Sequence, residues 1–272
     1  MRAEQAPVTV QDVMSRVQQA LGGTPAPNTA DGLKAGRADL RVTGIATAAM
    51  ATVDVIRRAS AAGCNLIVTF EPTFFARADQ PSPANRATDP TFTGKRDLIE
   101  KSDVAIWRLH DQWMAQRPAS LTTAFAEALQ WQRYQTAATT PERVVVPSTT
   151  LRDLVAHVQK QLGAKGLRVI GRADLPVTRV VLSPGPSAPA VTFTNLATAD
   201  VILAGEPREW EGVEYAQDAI AAGQAKGMVL VGRVLSENPG MRAMAAWLTE
   251  LLPGMRVQSL PVADPYWRPA AS

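Results

Sequence analysis

The strongest constraint on the fold is a regular alternation of short, continuous apolar runs with longer segments that carry apolar residues at helical spacing. Leu66–Val68, Val201–Leu203 and Met228–Val231 are such runs, and their lack of polar residues is typical of parallel strands that are covered on both faces. The segment 151–162 places its apolar residues on one face of a helix. We therefore predict an α/β protein with mainly parallel sheets, built from strand–helix–strand units.

The same patterns place the individual elements along the chain. Thr9 and Thr150 each precede a helical stripe and are predicted N-caps, whereas Pro147 is predicted to end a strand. A Pro-containing polar loop is expected at 77–89, and a small, polar stretch at 136–140 indicates a domain junction. The predicted strands are 41–47, 66–68, 104–109, 144–146, 167–170, 177–182, 201–203 and 228–231, and the predicted helices are 10–21, 52–62, 95–102, 122–128, 151–162, 215–222 and 241–252.

Composition and charge exclude several classes of protein. The formal net charge is +3 and no basic run exceeds two residues, so we expect no surface that tracks nucleic-acid phosphates. No apolar stretch reaches the ~18 residues that a membrane-spanning helix needs. One cysteine and two histidines exclude an intramolecular disulfide, a Cys-rich zinc site and a His-rich metal cage. The first residues carry no apolar signal-peptide core, which leaves open a cytoplasmic protein or a periplasmic one with a trimmed leader.

Ionisable residues follow four of the predicted strands, at the edge of the sheet where ligands of parallel α/β proteins bind. If these strand ends meet, their side chains share one cleft with Trp113 and Trp210 at its rim. Acidic residues that follow strands are also commonly helix caps or solvated loop residues, and this second interpretation stays open. The candidate ligand-binding residues are Glu71, His110, Asp111, Trp113, Glu206, Arg233 and Glu237.

Motifs of other common α/β chemistries are missing from the sequence. No Gly-x-Gly-x-x-Gly follows a strand, and no Walker Gly-Lys-Ser/Thr is present, which argues against dinucleotide binding and P-loop phosphoryl transfer. The Gly-x-Ser-x-Gly turn of α/β-hydrolases is also absent.

At these same strand ends, and along nearly the whole chain, the sequence carries segments that match a known family. The matching segments are Pro27-Asn28-Thr29 with Asp31, Thr43-Gly44-Ile45, Asn65 to Phe74, Leu109-His110-Asp111-Gln112-Trp113, Gly205-Glu206 with Glu209-Trp210-Glu211, and Gly232 to Glu237 with Gly240-Met241. In these segments the sequence resembles the Nif-three-like proteins, also described as dinuclear-metal-centre hexamers and as a type 2 form of GTP cyclohydrolase I.

The resemblance implies a Nif-three-like fold of two α/β lobes. Residues 1–135 plus 227–272 would form the first lobe from both chain ends, and 136–226 would form an inserted second lobe. It also implies a toroidal homohexamer, so we expect self-association as a hexamer or a dimer. The family site holds a pair of divalent metal ions (zinc, iron or manganese), and the family's metal positions retained here are Glu71, Asp111 and Glu237.

Three departures from the family pattern affect this metal site. Phe70, Met114 and Arg233 stand where the resemblance implies histidine ligands. A phenyl ring has no lone pair, a thioether is a soft ligand, and a guanidinium is a permanent cation without an acceptor. A pair of metal ions needs several shared donors, so we expect no metal cofactor and expect Arg233 to stand where a metal stands in relatives.

Three functional hypotheses follow from these departures. The first is a degenerate, metal-free member that binds a small anionic ligand or a partner in an Arg-centred acidic cleft. The second is a metal-dependent hydrolase that uses the retained carboxylates, in keeping with the GTP cyclohydrolase description of the family. The third is a purely structural role as an oligomer.

Overall fold

The structure is a computed structural model that divides into two compact units. The first unit comprises 1–116 and 241–262, and the second comprises 117–240 and 263–272. Residues 136–139 of the predicted junction at 136–140 lie outside the described part of the chain, as do most of the predicted loop at 77–89 and the first six residues. The described residues are 7–76, 79, 88–116, 120–135, 140 and 142–267.

Ten strands and nine α-helices make up the described chain. The strands are β1 (Gly32–Ala35), β2 (Ile45–Ala48), β3 (Leu66–Thr69), β4 (Ala105–Arg108), β5 (Arg143–Thr150), β6 (Arg168–Ile170), β7 (Pro176–Ser183), β8 (Val201–Ala204), β9 (Gly227–Leu230) and β10 (Val257–Ser259). The helices are α1 (Val10–Ala20), α2 (Val53–Ala61), α3 (Pro90–Lys101), α4 (Asp111–Met114), α5 (Ser120–Ala128), α6 (Leu151–Leu162), α7 (Pro189–Asn195), α8 (Glu214–Ala221) and α9 (Arg233–Leu251). A 3₁₀ turn at Gln132–Tyr134 and a π-helical turn at Glu209–Val213 complete the set.

The first unit contains a five-stranded sheet in the order β1-β4-β3-β2-β10. Its pairs are parallel except for β1, which pairs antiparallel with β4 at one edge. The parallel strands start level with one another, since Ile45 lies opposite both Leu66 and Val257, and Leu66 lies opposite Ala105. The carboxyl ends of β3 and β4 therefore lie side by side, because parallel strands that start level and have equal length also end level.

The second unit contains a sheet in the order β5-β7-β8-β9-β6. Its three central strands are parallel, and both edge strands are antiparallel to their neighbours. Apolar clusters cover both faces of this sheet: Val201, Leu203 and Val229 belong to one, and Ile202 and Met228 to the other. Mainly parallel, doubly covered sheets are what the continuous apolar runs predict, and this part of the sequence prediction is confirmed.

Strand pairing places β9 in the second sheet, hydrogen-bonded to β8 and β6. The sequence grouped 227–272 with the first lobe, and a strand belongs with the strands that it hydrogen-bonds. The chain re-enters the first unit at Met241, inside α9. The remaining limits of the two lobes stay a prediction.

Two elements differ from the prediction for identifiable physical reasons. β5 continues through Pro147 to Thr150, because β5 is an edge strand with a register shift between Val145 and Thr149, and such positions tolerate a missing N–H group. α9 starts at Arg233 rather than near Met241. Its first turns bury polar side chains such as Ser236 and Glu237, so they show no apolar stripe.

The predicted N-caps are confirmed. The Thr9 hydroxyl accepts the N–H of Asp12 at 3.2 Å, and the Asp12 carboxylate accepts the Thr9 N–H at 2.8 Å, which completes a capping box at α1. Thr150 accepts the N–H of Asp153 at the start of α6. Across the residues that the structure describes, no helix combines the length and the apolar composition needed to cross a membrane.

Candidate functional site

The predicted site residues all follow strands, but they divide between the two units. Glu71 follows β3, and His110, Asp111 and Trp113 follow β4, in the first unit. In the second unit, Glu206 follows β8, and Arg233 and Glu237 follow β9 on α9. Within each unit the structure brings some of these residues into direct contact. The expectation that all seven share one cleft stays a prediction.

His110 and Asp111 form an ordered pair at the end of β4. Nδ1 of His110 lies 2.8 Å from Oδ1 of Asp111. The other carboxylate oxygen of Asp111 accepts hydrogen bonds from the N–H of Ala30 at 2.7 Å and from the hydroxyl of Thr29 at 2.9 Å. Burial acts to raise the pKa of Asp111, but the hydrogen bonds from Ala30, His110 and Thr29 together lower it to about 2. Asp111 is therefore a fixed anion at neutral pH.

Asp31 fixes the backbone from which this pair projects. Its carboxylate accepts the backbone N–H groups of His110, Asp111 and Gln112, the last two at 2.8 and 2.9 Å. Asp31 is buried, and it occupies the N-terminus of the short helix α4, where a negative charge is favourable. No local pattern in the sequence predicts these hydrogen bonds of Asp31, because the residues that it binds lie about eighty positions away.

Aromatic residues occupy the space beside His110. The fully buried ring of Phe70 lies 4.4 Å from the imidazole, measured between ring centroids. Trp113 was expected at the rim of a cleft, but it is 3% exposed and packs on Trp247 with centroids 5.4 Å apart. The indole therefore belongs to the core of the first unit, because a helix of one turn after β4 directs it inward. Met114 is exposed.

Two buried cations, Arg108 and Lys95, hold the segment that follows β3. Neither was among the residues predicted for the site. Arg108 donates to the carbonyl oxygen of Phe70 at 3.2 Å and lies 3.3 Å from the carboxylate of Asp79. Lys95 donates to the carbonyl oxygen of Thr73. Burial lowers the pKa of Lys95 to about 8, and the charge of Asp79 opposes part of this effect. These contacts set the course of the chain around Glu71, which is itself buried.

In the second unit Arg233 lies between two predicted site residues. Its Nε is 3.2 Å from Oε1 of Glu237, and its Nη1 is 3.3 Å from Oε2 of Glu206. Glu237 is fully buried, whereas the Glu206 side chain is 53% exposed. Of the three carboxylates at the retained metal positions, Glu237 is the one in contact with Arg233 inside this unit.

Glycines at the strand ends bring these residues close together. A Cβ on Gly205 would lie 2.4 Å from the carbonyl oxygen of Gly185 and 2.7 Å from the hydroxyl of Ser236. The Ser236 hydroxyl accepts the N–H of Gly185 at 3.0 Å. A Cβ on Gly185 would lie 3.1 Å from Oε1 of Glu237. The ends of β7 and β8 and the start of α9 can therefore approach one another only because these positions carry no side chain.

Trp210 is exposed in the second unit, and its place at the rim of a cleft stays a prediction. Its indole is 68% exposed and lies under the guanidinium of Arg208, 5.7 Å from the ring centroid. Trp210 belongs to the π-helical turn that leads into α8. Such turns are rare and frequent at functional sites, although no contact between Trp210 and Arg233 is among those described.

The residues present do not fit a pair of metal ions. Within the described part of each unit, no three Asp, Glu, His or Cys side chains lie together in a way that could hold an ion. Arg233 places a permanent cation directly against the buried carboxylate of Glu237, and Phe70 places a donor-free ring against His110. Both features oppose the binding of further cations.

Comparison with known proteins identifies the family. The sequence profile described as Duf34/NIF3 (NGG1p interacting factor 3) matches residues 7–264, which is nearly the entire chain. This chain belongs to the Duf34/NIF3 family. The family resemblance given by the strand-end segments is thereby confirmed, and so is the mixed α/β fold.

Individual Duf34/NIF3 relatives are distant in sequence. A Clostridium perfringens protein named GTP cyclohydrolase 1 type 2 homolog is 23% identical over 184 residues, which cover 64% of this chain and 68% of the relative. A Bacillus cereus protein related to NIF3 matches with a TM-score of 0.75 at 16% identity, covering 97% of this chain and all of that one. The Staphylococcus aureus hypothetical protein SA1388 matches with a TM-score of 0.74, also at 16% identity. At such identities the structural matches establish the fold alone.

Proposed function

We propose that this protein is a metal-independent member of the Duf34/NIF3 family that binds a small anionic ligand at Arg233. The observation that carries the proposal is the arrangement of the guanidinium between a buried and an exposed carboxylate, Glu237 and Glu206. The family resemblance implies a metal centre, whereas Arg233 supplies a fixed organic cation in this chain.

The two carboxylates have different roles in this proposal. Glu237 is fully buried and lies against Nε, so it neutralises and orients the guanidinium permanently. Glu206 is half-exposed and lies against Nη1, where leaving the arginine costs little because water can solvate the released carboxylate. A ligand with an anionic group can therefore replace Glu206 at Nη1 of Arg233. The planar guanidinium matches the geometry of carboxylate and phosphate groups.

The start of α9 adds to the attraction for an anion. α9 is 19 residues long and begins at Arg233, so the positive end of its dipole and its first backbone N–H groups lie at the ends of β8 and β9. Anions bind at such helix starts when a side-chain cation accompanies them. In this structure the guanidinium of Arg233 donates to the exposed carboxylate of Glu206.

A binding experiment with three variants tests the proposal. Succinate, titrated calorimetrically into the full chain without added metal, is expected to bind, and Arg233→Ala is expected to abolish that binding. Glu206→Gln should bind more tightly than the parent, because it removes the competing charge. Arg208→Ala is the control, since Arg208 forms an ion pair with Glu211 in the same unit. Binding that survives in Arg233→Ala, or that weakens in Glu206→Gln, contradicts the proposal.

A metal-dependent hydrolase is the second candidate. The name of the Clostridium perfringens relative favours it, and so does the retention of Glu71, Asp111 and Glu237. Elemental analysis of protein purified without chelators distinguishes the two candidates. Stoichiometric zinc, iron or manganese together with GTP hydrolysis that EDTA abolishes would support the hydrolase, whereas metal-free protein that retains anion binding supports the first proposal.

A further inference from the structure

We propose that the first unit carries a second anion site at the amino ends of its parallel strands, and that this site takes the phosphate group of a small phosphate monoester. The site is a cavity of about 530 Å³ lined by Arg41, Val42, Thr43, Gly254, Met255 and Arg256. Two of these six residues are arginines, and none is a carboxylate.

The strand register locates this cavity away from the predicted site residues of its unit. Residues 41–43 precede β2 and residues 254–256 precede β10, and these two parallel strands pair with Ile45 opposite Val257. The cavity therefore lies at the amino ends of the strands. Glu71 and His110 follow the carboxyl ends of β3 and β4. The cavity and these residues therefore lie at opposite ends of the parallel strands of the same sheet.

Local hydrogen bonds hold both walls of the cavity in place. The side-chain amide of Asn65 donates to the carbonyl oxygen of Arg41 at 2.8 Å and accepts the N–H of Thr43 at 2.8 Å, which fixes the first wall. On the second wall, the Met255 N–H donates to the carbonyl oxygen of Leu252 at 3.0 Å. These hydrogen bonds hold the backbone of both walls in place before a ligand binds.

Arg256 is positioned by a glycine at the end of α2. Its guanidinium donates to the carbonyl oxygen of Ala62, and a Cβ on Gly63 would lie 3.1 Å from Nη1. Gly63 has a φ of 69°, a left-handed conformation that favours glycine. The described contacts of Arg256 leave donors on its fork available to an anion, because a guanidinium carries five N–H groups.

Arg41 supplies a second cation, and no anion in the described part of the chain compensates it. Its side chain makes no hydrogen bond or ion pair with any residue in the described chain, and it is exposed. Two like charges that line one cavity favour binding of a doubly charged anion over a singly charged one. Val42 and Met255 add apolar surface beside the arginines, which suits the carbon portion of a phosphate monoester.

Calorimetric titration of phenyl phosphate into the full chain tests this site. We expect binding that weakens roughly tenfold in Arg41→Ala, the loss expected for a charge-assisted hydrogen bond, and that weakens further with added salt. Arg57→Ala is the matched control, because Arg57 is an exposed arginine of α2 outside the cavity. In an Arg233→Ala background, Arg41→Ala is expected to weaken phenyl phosphate binding by the same factor as in the parent, which separates this site from the proposed function.

Several outcomes would overturn the inference. They are an absence of phenyl phosphate binding, equal affinities of Arg41→Ala and the parent, or an equal loss in the Arg57→Ala control. Arg256→Gln serves as a second variant, and its folding is checked by circular dichroism because Arg256 also holds the end of α2. Inorganic phosphate that binds as tightly as phenyl phosphate would contradict the role given to the apolar walls.

Discussion

The carboxylate of Asp111 owes its low pKa to groups that a single substitution can remove. Thr29→Val keeps the shape of the side chain but deletes the hydroxyl that donates to Oδ2 at 2.9 Å. We expect the pKa of Asp111 to rise from about 2 toward the ordinary value of ~3.9. Carbon-detected NMR titration of the carboxyl group measures the change.

The sign of the accompanying stability effect follows from linkage. Asp111 has a lower pKa in the folded state, so its contribution to the free energy of unfolding is present above pH ~4 and is lost as the pH falls toward 2. Thr29→Val should make that acid-dependent loss smaller. Thr178→Val is the control, since its hydroxyl binds the equivalent low-pKa carboxylate, Asp200, in the second unit. An unchanged pKa of Asp111 in Thr29→Val contradicts the hydrogen-bond explanation.

Phe70 and Met114, which replace implied histidine ligands in the first unit, permit a test of why this chain departs from the metal-centre pattern. Phe70→His places an imidazole where the phenyl ring lies 4.4 Å from the ring of His110, and Met114→His adds a third nitrogen donor to the same strand end. The double variant should gain bound zinc, because nitrogen and carboxylate donors then coexist there. Elemental analysis compares it with Phe70→Leu/Met114→Leu, and equal zinc in both variants would refute the explanation.

At the scale of elements, close approach at a strand end depends on Gly205, which follows β8. We expect Gly205→Ala to reduce the free energy of unfolding by roughly 1–3 kcal/mol, because its Cβ would lie 2.4 and 2.6 Å from the backbone of Gly185. Gly94→Ala is the matched change inside α3, where no atom lies within 4 Å. It should stabilise by roughly 0.5–1 kcal/mol. Urea denaturation measures both, and equal effects would show that crowding at Gly205 is not what limits this position.

The elements that could be predicted are those whose signals are local. Continuous apolar runs located β3, β8 and β9, and threonine caps located the starts of α1 and α6, since a cap and a stripe need only neighbouring residues. β1 and β10 were missed because they are edge strands of three or four half-exposed residues, with no apolar run to mark them.

The candidate site shows the same limit at longer range. Its candidate residues come from the rule that ligands of parallel α/β proteins bind at the carboxyl ends of the strands, and that rule needs only the order of the elements. Their partners could not be predicted, because the hydrogen bonds of Asp31 and Arg108 join residues that lie 29 to 81 positions apart. The contact of Arg233 with Glu206 likewise depends on how closely β8 and β9 approach.

At the scale of the whole molecule, we expect self-association. Phe193 and Tyr215 form an exposed aromatic pair with ring centroids 4.8 Å apart, and Trp210 is exposed in the same unit. Exposed aromatic residues are enriched in protein interfaces. Light scattering should give an integer multiple of the 29.1 kDa chain mass, with a hexamer or a dimer expected. Phe193→Ser should shift the protein toward smaller species, whereas Val145→Ser should not, and a monomeric parent contradicts the prediction.

Thermal unfolding with and without a chelator tests the metal-independent proposal on the intact protein. A metal that binds only the folded chain, at a hundred times its Kd, stabilises it by about 2.7 kcal/mol, which corresponds to several degrees in Tm for a chain of this size. We expect EDTA to leave the Tm of the parent unchanged, because in the metal-independent proposal the guanidinium of Arg233 compensates Glu206 and Glu237. The zinc-loaded Phe70→His/Met114→His variant is the positive control and should lose stability in EDTA. A parent whose Tm falls in EDTA and recovers with manganese or zinc would instead favour the metal-dependent hydrolase.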